Sequence, residues 1–240
     1  MRNIETQWHH FLKEILENGV EHTKDDGDKL KESLVNHCMI TNPLGFNNNI
    51  SSKKFLELVK DGAFDIKDYP LNGEALYNYV SSLDNSEQIY LDKKDGFIYT
   101  YPERLQNIML VNRENIIGYH NQFGIMLTRL KKSKGSNRAV ATLYSAGLDK
   151  NEQDIPCLNW LQATIRDNKL LLHVMFRSND CYGAFPSNML FLSYLGLRLV
   201  EELYDTYPSL VFEGINYNST SLHIYEPDIP QAKKILDQLE

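Results

Sequence analysis

The feature that most constrains the fold is a regular alternation of side chains that runs straight into a turn and a second apolar stretch. Residues 158–166 alternate with a period of two, as expected for a strand with one face in the core. Asp167 and Asn168 follow as a two-residue hairpin signal, and residues 169–177 resume as an apolar strand. The sequence therefore predicts an antiparallel hairpin.

A second feature, residues 188–204, is apolar almost all round, which predicts a long helix buried at the centre of the protein. The other predicted helices are residues 8–16, 54–60, 74–81, 114–131 and 230–239. The other predicted strands are residues 31–42, 139–144 and 221–225, and residues 47–54 are predicted to be a polar loop. Because hairpins and helices are mixed along the chain, we predict an α+β fold: one domain over residues 1–240, with a mixed sheet around the buried helix.

The charge and cysteine content exclude several classes of protein. The formal net charge of -7 argues against non-specific binding to nucleic acid or to an anionic membrane. The N-terminus has no apolar run typical of a signal peptide, and no stretch approaches 18 apolar residues. Three cysteines are an odd and sparse set, unlike a disulfide framework, and fit a reducing cytoplasm.

Cys157 is the candidate nucleophile among these cysteines, and Cys38 and Cys181 are predicted to be structural. A lone cysteine is more often a small buried apolar residue than a reactive one. Six short segments around Cys157 change that balance because they occur in a specific order along the chain. They are Tyr-Pro-Glu-Arg-Leu at 101–105, Asn-Arg at 137–138, Ile-Pro-Cys-Leu at 155–158, Arg-Ser-Asn-Asp at 177–180, Gly-Ala-Phe-Pro-Ser-Asn at 183–188, and Ser-Leu-His-Ile-Tyr at 221–225.

This ordered set resembles thymidylate synthase and its relatives, the pyrimidine nucleotide hydroxymethylases. The similarity is strong over residues 138–226 and weak before residue 95, and it is greatest to the short archaeal type. The resemblance implies a thymidylate synthase-like fold, a homodimer, and a reaction in which a cysteine adds to C6 of a pyrimidine nucleotide. The addition makes C5 nucleophilic, so that one difficult step becomes two easier ones.

The resemblance implies roles for the first group of site residues. Cys157 matches the nucleophile, and Arg177 and Ser178 match ligands of the nucleotide phosphate, for which the planar fork of arginine is suited. Arg138 matches a phosphate-binding arginine that family members donate across the dimer interface. Asp180 matches the aspartate of the same motif, beside the nucleotide and the folate.

The resemblance assigns the pyrimidine and the sugar to residues nearer the C-terminus. Asn188 matches the asparagine that reads O4 and N3–H of uracil, although Ser187 competes for that place because the segment is one residue longer than usual. Asn188 is also a candidate N-cap of the helix that it opens. His223 and Tyr225 match the pair that binds the sugar 3′-hydroxyl, and a histidine inside a strand is otherwise a core residue.

Two further matches concern the start of the chain. Glu74 matches the family's general acid, but an acidic residue at a helix start is equally explained by the helix dipole. Tyr101 matches the tyrosine of a loop behind the nucleophile. The usual N-terminal phosphate arginine is absent, and Lys24, Lys131 and Lys132 are candidates to replace it.

From this resemblance we expect transfer of a one-carbon unit from 5,10-methylenetetrahydrofolate, or a related reduced pterin, to C5 of dUMP. The alternatives are a nucleotide 5-hydroxymethylase acting on dUMP, dCMP or CMP, and a homologue that binds nucleotide without turnover. No metal ligand set is expected. Residues 88–97 contain no tryptophan, unlike the folate-binding segment of longer family members, so the one-carbon donor stays open.

Overall fold

The computed structural model describes residues 3–45, 50–66, 69–84, 99–112 and 115–238, so residues 88–97 lie outside it. Its helices are α1 (Ile4–Asn18), α2 (Ser52–Lys60), α3 (Gly73–Ser81), α4 (Tyr101–Gln106), α5 (Gln122–Lys132), α6 (Ala146–Asp149), α7 (Phe185–Glu202) and α8 (Ile229–Asp237). Its strands are β1 (Val20–Thr23), β2 (Lys29–Thr41), β3 (Ile108–Asn112), β4 (Asn115–His120), β5 (Val140–Thr142), β6 (Leu158–Arg166), β7 (Lys169–Asp180) and β8 (Val211–Tyr225).

Six strands form one mixed sheet in the order β1-β2-β8-β7-β6-β5, and β3 and β4 form a separate hairpin. Within the six-stranded sheet β7 and β8 are parallel, and the other neighbours are antiparallel. A parallel pair needs a crossover connection, and here α7 provides it. The predicted α+β class, with a mixed sheet and a long buried helix, is confirmed.

Helix α7 forms the centre of the core, since nearly all of its side chains from Phe185 to Leu199 are buried. It packs on β7 and β8 and also contacts α1, α2 and α3. The fit is close: a Cβ atom at Gly196 would lie 2.3 Å from the ring of Phe212 on β8. Burying a large apolar side chain contributes about 1.5–3 kcal/mol to stability. The many buried side chains of α7 therefore hold its first turn in place against the sheet.

Several predicted elements are confirmed with shifted ends. The hairpin of β6 and β7 turns at Asp167 and Asn168, whose φ angles of 49° and 58° suit a tight two-residue turn. Strand β7 continues to Asp180, beyond the predicted end at residue 177, and α7 starts three residues before Asn188. Asn188 is therefore not the N-cap of α7, as one interpretation had it, because Ala184 occupies that position.

One prediction of an element is wrong, and another is confirmed but too short. Residues 114–131 are not one helix: β4 ends at His120, and the side chain of Asn121 then caps α5 by accepting from the backbone N–H of Gly124. The predicted short strand 221–225 is the end of β8, which begins at Val211. That residues 1–240 form one domain stays a prediction.

Candidate active site

A cleft of about 1250 Å³ opens where the carboxyl ends of β7 and β8 meet the first turn of α7. Both strands run in the same direction, so the side chains at their carboxyl ends lie together at one edge of the sheet. Helix α3, the start of α4 and residues 152–157 form the remaining walls. A smaller pocket of about 580 Å³ adjoins the cleft and extends towards the turn between β1 and β2.

Cys157 lies in this cleft immediately before β6, half-buried, with Arg177 beside it on β7. The Nη2 atom of Arg177 is 3.7 Å from the Cys157 sulfur. The same guanidinium donates to the carbonyl oxygens of Ile155 at 2.7 Å and Pro156 at 3.2 Å. Arg177 is thus held by the backbone of the segment that carries the thiol, and its charge faces the sulfur.

The charges around Cys157 act on its pKa in opposite directions. Burial raises the pKa of the thiol above its usual range, and Asp154 raises it further, whereas the positive charge of Arg177 lowers it. The net result is a raised pKa, so the thiol is largely protonated at neutral pH. Arg177 is the nearest positive group that can favour the reactive thiolate.

Two tyrosines of the α4 region hold the segment around Cys157. The hydroxyl of Tyr101 accepts from the backbone N–H of Leu158 at 3.3 Å, and the hydroxyl of Tyr99 donates to the carbonyl of Ile155 at 3.3 Å. Burial beside Cys157 raises the pKa of Tyr101 well above its usual range, so its hydroxyl stays neutral. Tyr101 therefore lies behind the thiol, as its predicted role requires.

A buried ion pair stabilises this wall of the cleft, and the sequence analysis did not predict it. Arg104 on α4 contacts Asp149 on α6 at 2.5 Å, and Asp149 also accepts from the backbone N–H of Ser145 at 2.7 Å. Both charged residues are buried. A buried pair that loses one partner is destabilising by about 3–5 kcal/mol. The available signal was the charged Glu-Arg pair inside the otherwise apolar Tyr-Pro-Glu-Arg-Leu segment.

Asn188 lines the cleft in the first turn of α7, whereas Ser187 does not. The hydroxyl of Ser187 faces the other way, where it accepts from the Tyr69 hydroxyl at 2.9 Å and donates to the carbonyl of Ala184 at 3.0 Å. The Oδ1 atom of Asn188 accepts from the Tyr79 hydroxyl at 2.5 Å. Of the two residues that the family resemblance offers as readers of the base, only Asn188 faces the cleft.

Asp180 ends β7 on the cleft wall, and its environment alters its acidity. Its Oδ1 atom accepts from the backbone N–H groups of Tyr182 at 3.0 Å and Gly183 at 2.9 Å. Burial nevertheless raises the pKa of the carboxyl to about 6, with a further contribution from the negative charge of Asp228. A carboxyl that titrates near neutral pH can exchange protons under physiological conditions.

His223 and Tyr225, on β8, contact each other edge to face, with ring centroids 5.0 Å apart. The Nδ1 atom of His223 lies 3.5 Å from the hydroxyls of both Ser178 and Ser221. Its Nε2 atom is buried and has no hydrogen-bond partner among the residues that the structure describes. Burial lowers the pKa of His223 to about 4, so the ring is neutral at pH 7 and offers an unused polar atom to a ligand.

Lys24 reaches the cleft from the turn between β1 and β2. Its Nζ atom lies 3.4 Å from the Tyr225 hydroxyl and forms ion pairs with Asp26 at 2.6 Å and Asp28 at 3.5 Å. Together with Arg177 it borders both the cleft and the smaller pocket. Of the three lysines considered as substitutes for the missing arginine, Lys24 alone lines either pocket in the described part of the chain.

Comparison with known proteins decides the family. The sequence profile of thymidylate synthase matches residues 88–240. The chain belongs to the thymidylate synthase family. Among the similar proteins, one of Methanothermobacter marburgensis named "Putative thymidylate synthase" is 28% identical over 232 residues, which cover 95% of this chain and 93% of the relative.

Two other archaeal relatives carry the same name. The protein of Methanosarcina mazei is 29% identical over 235 residues, which cover 98% of this chain and 92% of the relative. That of Methanocaldococcus jannaschii is 33% identical over 175 residues, which cover 69% of this chain and 70% of the relative. The resemblance to this family, inferred from six short segments, is thereby confirmed.

Two residues that the family resemblance singled out are absent from the described lining of the cleft. Glu74 is exposed in the first turn of α3, and this helix faces the cleft with Ala75, Asn78 and Tyr79 instead. Arg138 is exposed just before β5, at the edge of the sheet. The fold of one chain brings neither side chain to Cys157.

In the described residues, no helix is both long and apolar enough to cross a membrane.

Proposed function

We propose that this member of the thymidylate synthase family transfers a one-carbon unit from a reduced folate or pterin to C5 of a pyrimidine nucleoside monophosphate. The substrate is proposed to be dUMP and the product dTMP, with Cys157 as the nucleophile. The observation that carries the proposal is the pairing of Cys157 with Arg177, 3.7 Å apart, at the base of a cleft with an amide, a neutral histidine and a carboxyl on its walls.

The charges and polar atoms of the cleft support one orientation of the nucleotide. The phosphate is proposed to bind at Arg177, Ser178 and Lys24, next to the smaller pocket. The sugar 3′-hydroxyl then reaches the unpartnered Nε2 atom of His223 and the hydroxyl of Tyr225. This leaves the pyrimidine edge for Asn188, which keeps one N–H and one lone pair for a ligand.

The reaction is proposed to begin when the Cys157 thiolate forms a bond to C6 of the pyrimidine. The electron pair of the C5–C6 double bond moves towards O4 and leaves C5 nucleophilic. When C5 bonds to the one-carbon unit, the electron pair of one bond between that carbon and the folate would return to a folate nitrogen. Loss of the C5 proton would then expel the remaining folate nitrogen from the one-carbon unit. For a methyl product, a hydride from the reduced folate would add to that carbon, and the electron pair returned to C5 would expel the Cys157 sulfur from C6, which restores the thiolate and the C5–C6 double bond. Phosphate binding at Arg177 would also neutralise part of the charge that stabilises the thiolate, so Arg177 must serve both anions.

The second substrate is supported by the size and lining of the cleft. A volume of about 1250 Å³ exceeds the roughly 300–1,000 Å³ of a pocket for one small ligand. Tyr79, Tyr101 and Phe191 line it, and the ring centroid of Phe191 lies 5.9 Å from that of Tyr79 and 6.2 Å from that of Tyr101. Such a group of aromatic rings suits contact with a flat heterocycle. A bound 5,10-methylenetetrahydrofolate would supply the one-carbon unit and, for a methyl product, a hydride.

Two observations favour a second candidate, a protein that binds nucleotide without turnover. Glu74, which matches the general acid of the family, is outside the cleft, and the pKa of Cys157 is raised by burial.

In the active enzyme that we propose, Asp180 replaces Glu74 as the acid, because its pKa of about 6 allows it to carry a proton near neutral pH. A 5-hydroxymethylase would use the same cleft, with water in place of hydride.

Release of tritium from the C5 position of labelled nucleotide tests the proposal, because either enzyme must remove that proton. We expect release from [5-³H]-dUMP with methylenetetrahydrofolate, and loss of at least about 10³-fold in Cys157→Ser, since serine is a far weaker nucleophile. Cys38→Ala is the matched control for loss of a thiol away from the cleft, and it should release tritium like the wild type. Chromatography of the product distinguishes methyl from hydroxymethyl. No release from dUMP, dCMP, UMP or CMP would favour the binding protein.

A further inference from the structure

The carboxyl group of Asp180 lies directly against Gly183, in the turn that leads from β7 into α7. Its Oδ1 atom accepts from the backbone N–H groups of Tyr182 at 3.0 Å and Gly183 at 2.9 Å. A Cβ atom at Gly183 would lie 2.4 Å from the Oδ2 atom of Asp180 and 3.3 Å from its Cγ atom. The carboxyl group therefore fills the space that a side chain at position 183 would need.

The backbone conformation of Gly183 does not require glycine. Its φ angle lies outside the left-handed region that favours this residue. The turn is closed by the backbone N–H of Ala184, which donates to the carbonyl oxygen of Asp180 at 3.2 Å. Glycine at this position is thus explained by the space that the Asp180 carboxyl occupies rather than by the shape of the turn.

The two hydrogen bonds to Oδ1 decide which oxygen of Asp180 can carry a proton. A backbone N–H group can only donate, so Oδ1 must accept whether or not the carboxyl is ionised. In the neutral acid the proton then lies on Oδ2, the oxygen beside Gly183. Because Asp180 lines the cleft, Oδ2 is the oxygen that remains for a bound substrate.

The surroundings of this carboxyl favour its protonated form. Burial raises the pKa of Asp180 to about 6, the two N–H donors act in the opposite direction, and the negative charge of Asp228 adds to the rise. The other titratable side chains next to the carboxyl are uncharged at neutral pH: Tyr69, Cys181, His223 and Tyr225. The buried position of the carboxyl therefore determines its acidity.

We propose that Gly183 is a positioning residue for Asp180, which holds the carboxyl in its buried place with Oδ2 as the acid oxygen. The proposal rests on the function proposed above, in which Asp180 replaces Glu74 as the acid. Gly183 acts in two ways: its N–H group binds Oδ1, and its lack of a side chain leaves room for Oδ2.

In Gly183→Ala the new methyl group and the carboxyl cannot occupy the same space. The carboxyl is the end of a side chain and can rotate into the open cleft, where it leaves its two N–H donors and meets water. Loss of the donors alone would raise the pKa of Asp180, but burial is the larger effect, so its removal sets the direction. We expect the pKa to fall towards the value of about 3.9 for an exposed aspartate.

The rate of the proposed reaction should change with the position of the acid. A correctly placed acid or base contributes roughly 10²–10⁴-fold to a reaction rate. We expect kcat for tritium release to fall at least about tenfold in Gly183→Ala. In Asp180→Ala the carboxyl is gone, so the further change Gly183→Ala should alter kcat less than about twofold.

The experiment follows the carboxyl carbon of Asp180 by ¹³C NMR during a pH titration of aspartate-labelled protein, without nucleotide or folate. The resonance is assigned by its absence from Asp180→Asn. Gly135→Ala is the matched control, because Gly135 is exposed, its φ angle is also outside the left-handed region, and a Cβ atom there has no neighbour within 4 Å. We expect Gly135→Ala to keep the wild-type midpoint and kcat.

A folding test keeps the proposal open to refutation if Gly183→Ala is unfolded. The double variant with Asp180→Ala removes the collision, so circular dichroism should show that it folds even where Gly183→Ala alone does not. A double variant that is also unfolded would refute the positioning role, because Gly183 would then be required for another reason.

The remaining outcomes separate this proposal from the proposed function. A midpoint in Gly183→Ala at or above the wild-type midpoint refutes the positioning role, even if kcat falls. A wild-type midpoint already at the value of an exposed aspartate refutes it as well, because the carboxyl would not be held in a buried place. If the wild type releases no tritium but the midpoint falls as expected, the positioning of the carboxyl stands and the proposed turnover does not.

Discussion

The backbone N–H of Arg177 donates to the carbonyl oxygen of Cys157 at 2.9 Å, and the side chain of Arg177 returns to the same residue at 3.7 Å from its sulfur. The two residues are 20 positions apart and lie on adjacent chain segments across the sheet. The strand pairing of β6 with β7 thus fixes where the charge stands relative to the thiol. Shifting β7 by one residue would turn Arg177 to the other face of the sheet.

The first prediction concerns the acidity of this thiol. We expect alkylation of Cys157 by iodoacetamide to rise with pH around a midpoint above that of a free cysteine, because burial raises its pKa. Arg177→Gln should move the midpoint higher and slow alkylation at pH 7.5 on the order of tenfold. Asp154→Asn should move it lower. Mass spectrometry of the labelled peptide gives the rates, and equal midpoints in all three proteins would contradict the charge arrangement.

The second prediction concerns stability and Asp180. Its folded-state pKa of about 6 exceeds the usual value, so its contribution to stability is greatest at low pH and is lost as the pH rises through 6. Two pKa units correspond to about 3 kcal/mol. The free energy of unfolding of Asp180→Asn should exceed that of the wild type by up to this amount at pH 8 and equal it below pH 4. Urea titrations test this, with the exposed Asp205→Asn as control; a constant difference across pH would refute it.

The third prediction assigns the unpartnered Nε2 atom of His223 to the sugar. A neutral hydrogen bond contributes about 0.5–1.5 kcal/mol, so the wild type should bind dUMP about 2- to 12-fold more tightly than its 3′-deoxy analogue. His223→Phe keeps a ring against Tyr225 and should lose this preference. Calorimetry gives the dissociation constants of both ligands for the wild type and for His223→Phe. A preference that survives in His223→Phe would place the 3′-hydroxyl elsewhere.

The fourth prediction concerns Arg138, which is exposed away from the cleft of its own chain. If it completes the site of a second subunit, Cys157→Ser and Arg138→Ala chains should each be inactive and should recover activity when mixed. Random pairing gives hybrids in half of the dimers, with one intact site each, so about a quarter of the wild-type activity should return. Native mass spectrometry verifies hybrid formation. No recovery in verified hybrids would mean that each site is built from one chain.

Local patterns predicted those parts of the molecule that local chemistry determines. The alternation in 158–166 and the Asp167-Asn168 turn gave the hairpin, and the apolar stretch around Phe191 and Leu195 gave α7. The break between β4 and α5 was missed because its apolar residues also fit helical spacing, and the cap at Asn121 was the overlooked signal.

Polar residues concealed the first half of β8, and tertiary contacts explain why they are tolerated there. Asn216 exchanges side-chain hydrogen bonds with His37 and His173 on the neighbouring strands. Gly214 is required by the close approach of β2, since a Cβ atom there would lie 2.1 Å from the carbonyl oxygen of Ile40. The residues that contact Asn216 and Gly214 can be identified only once the pairing of the strands is known.

The candidate site shows the same division. The order of short segments brought Cys157, Arg177 and Asn188 to attention, whereas the exposure of Glu74 depends on the rotation of α3 about its axis. The hydrogen bonds from Asn188 to Asn179 and from Asn179 to Tyr217 depend on the part of β8 that was not predicted.

The parallel pairing of β7 with β8 has a consequence for how the protein acquires its binding site as it folds. Ser178 and His223 are 45 positions apart and become neighbours only when the chain has crossed over through α7. Contacts between distant parts of a chain form late, because the entropy of closing the loop must first be overcome. The hairpin that carries Cys157 and Arg177 is local and can form early. During refolding Cys157 and Arg177 should therefore come together before the edge proposed to bind the sugar, and affinity for nucleotide should return only with the final cooperative step.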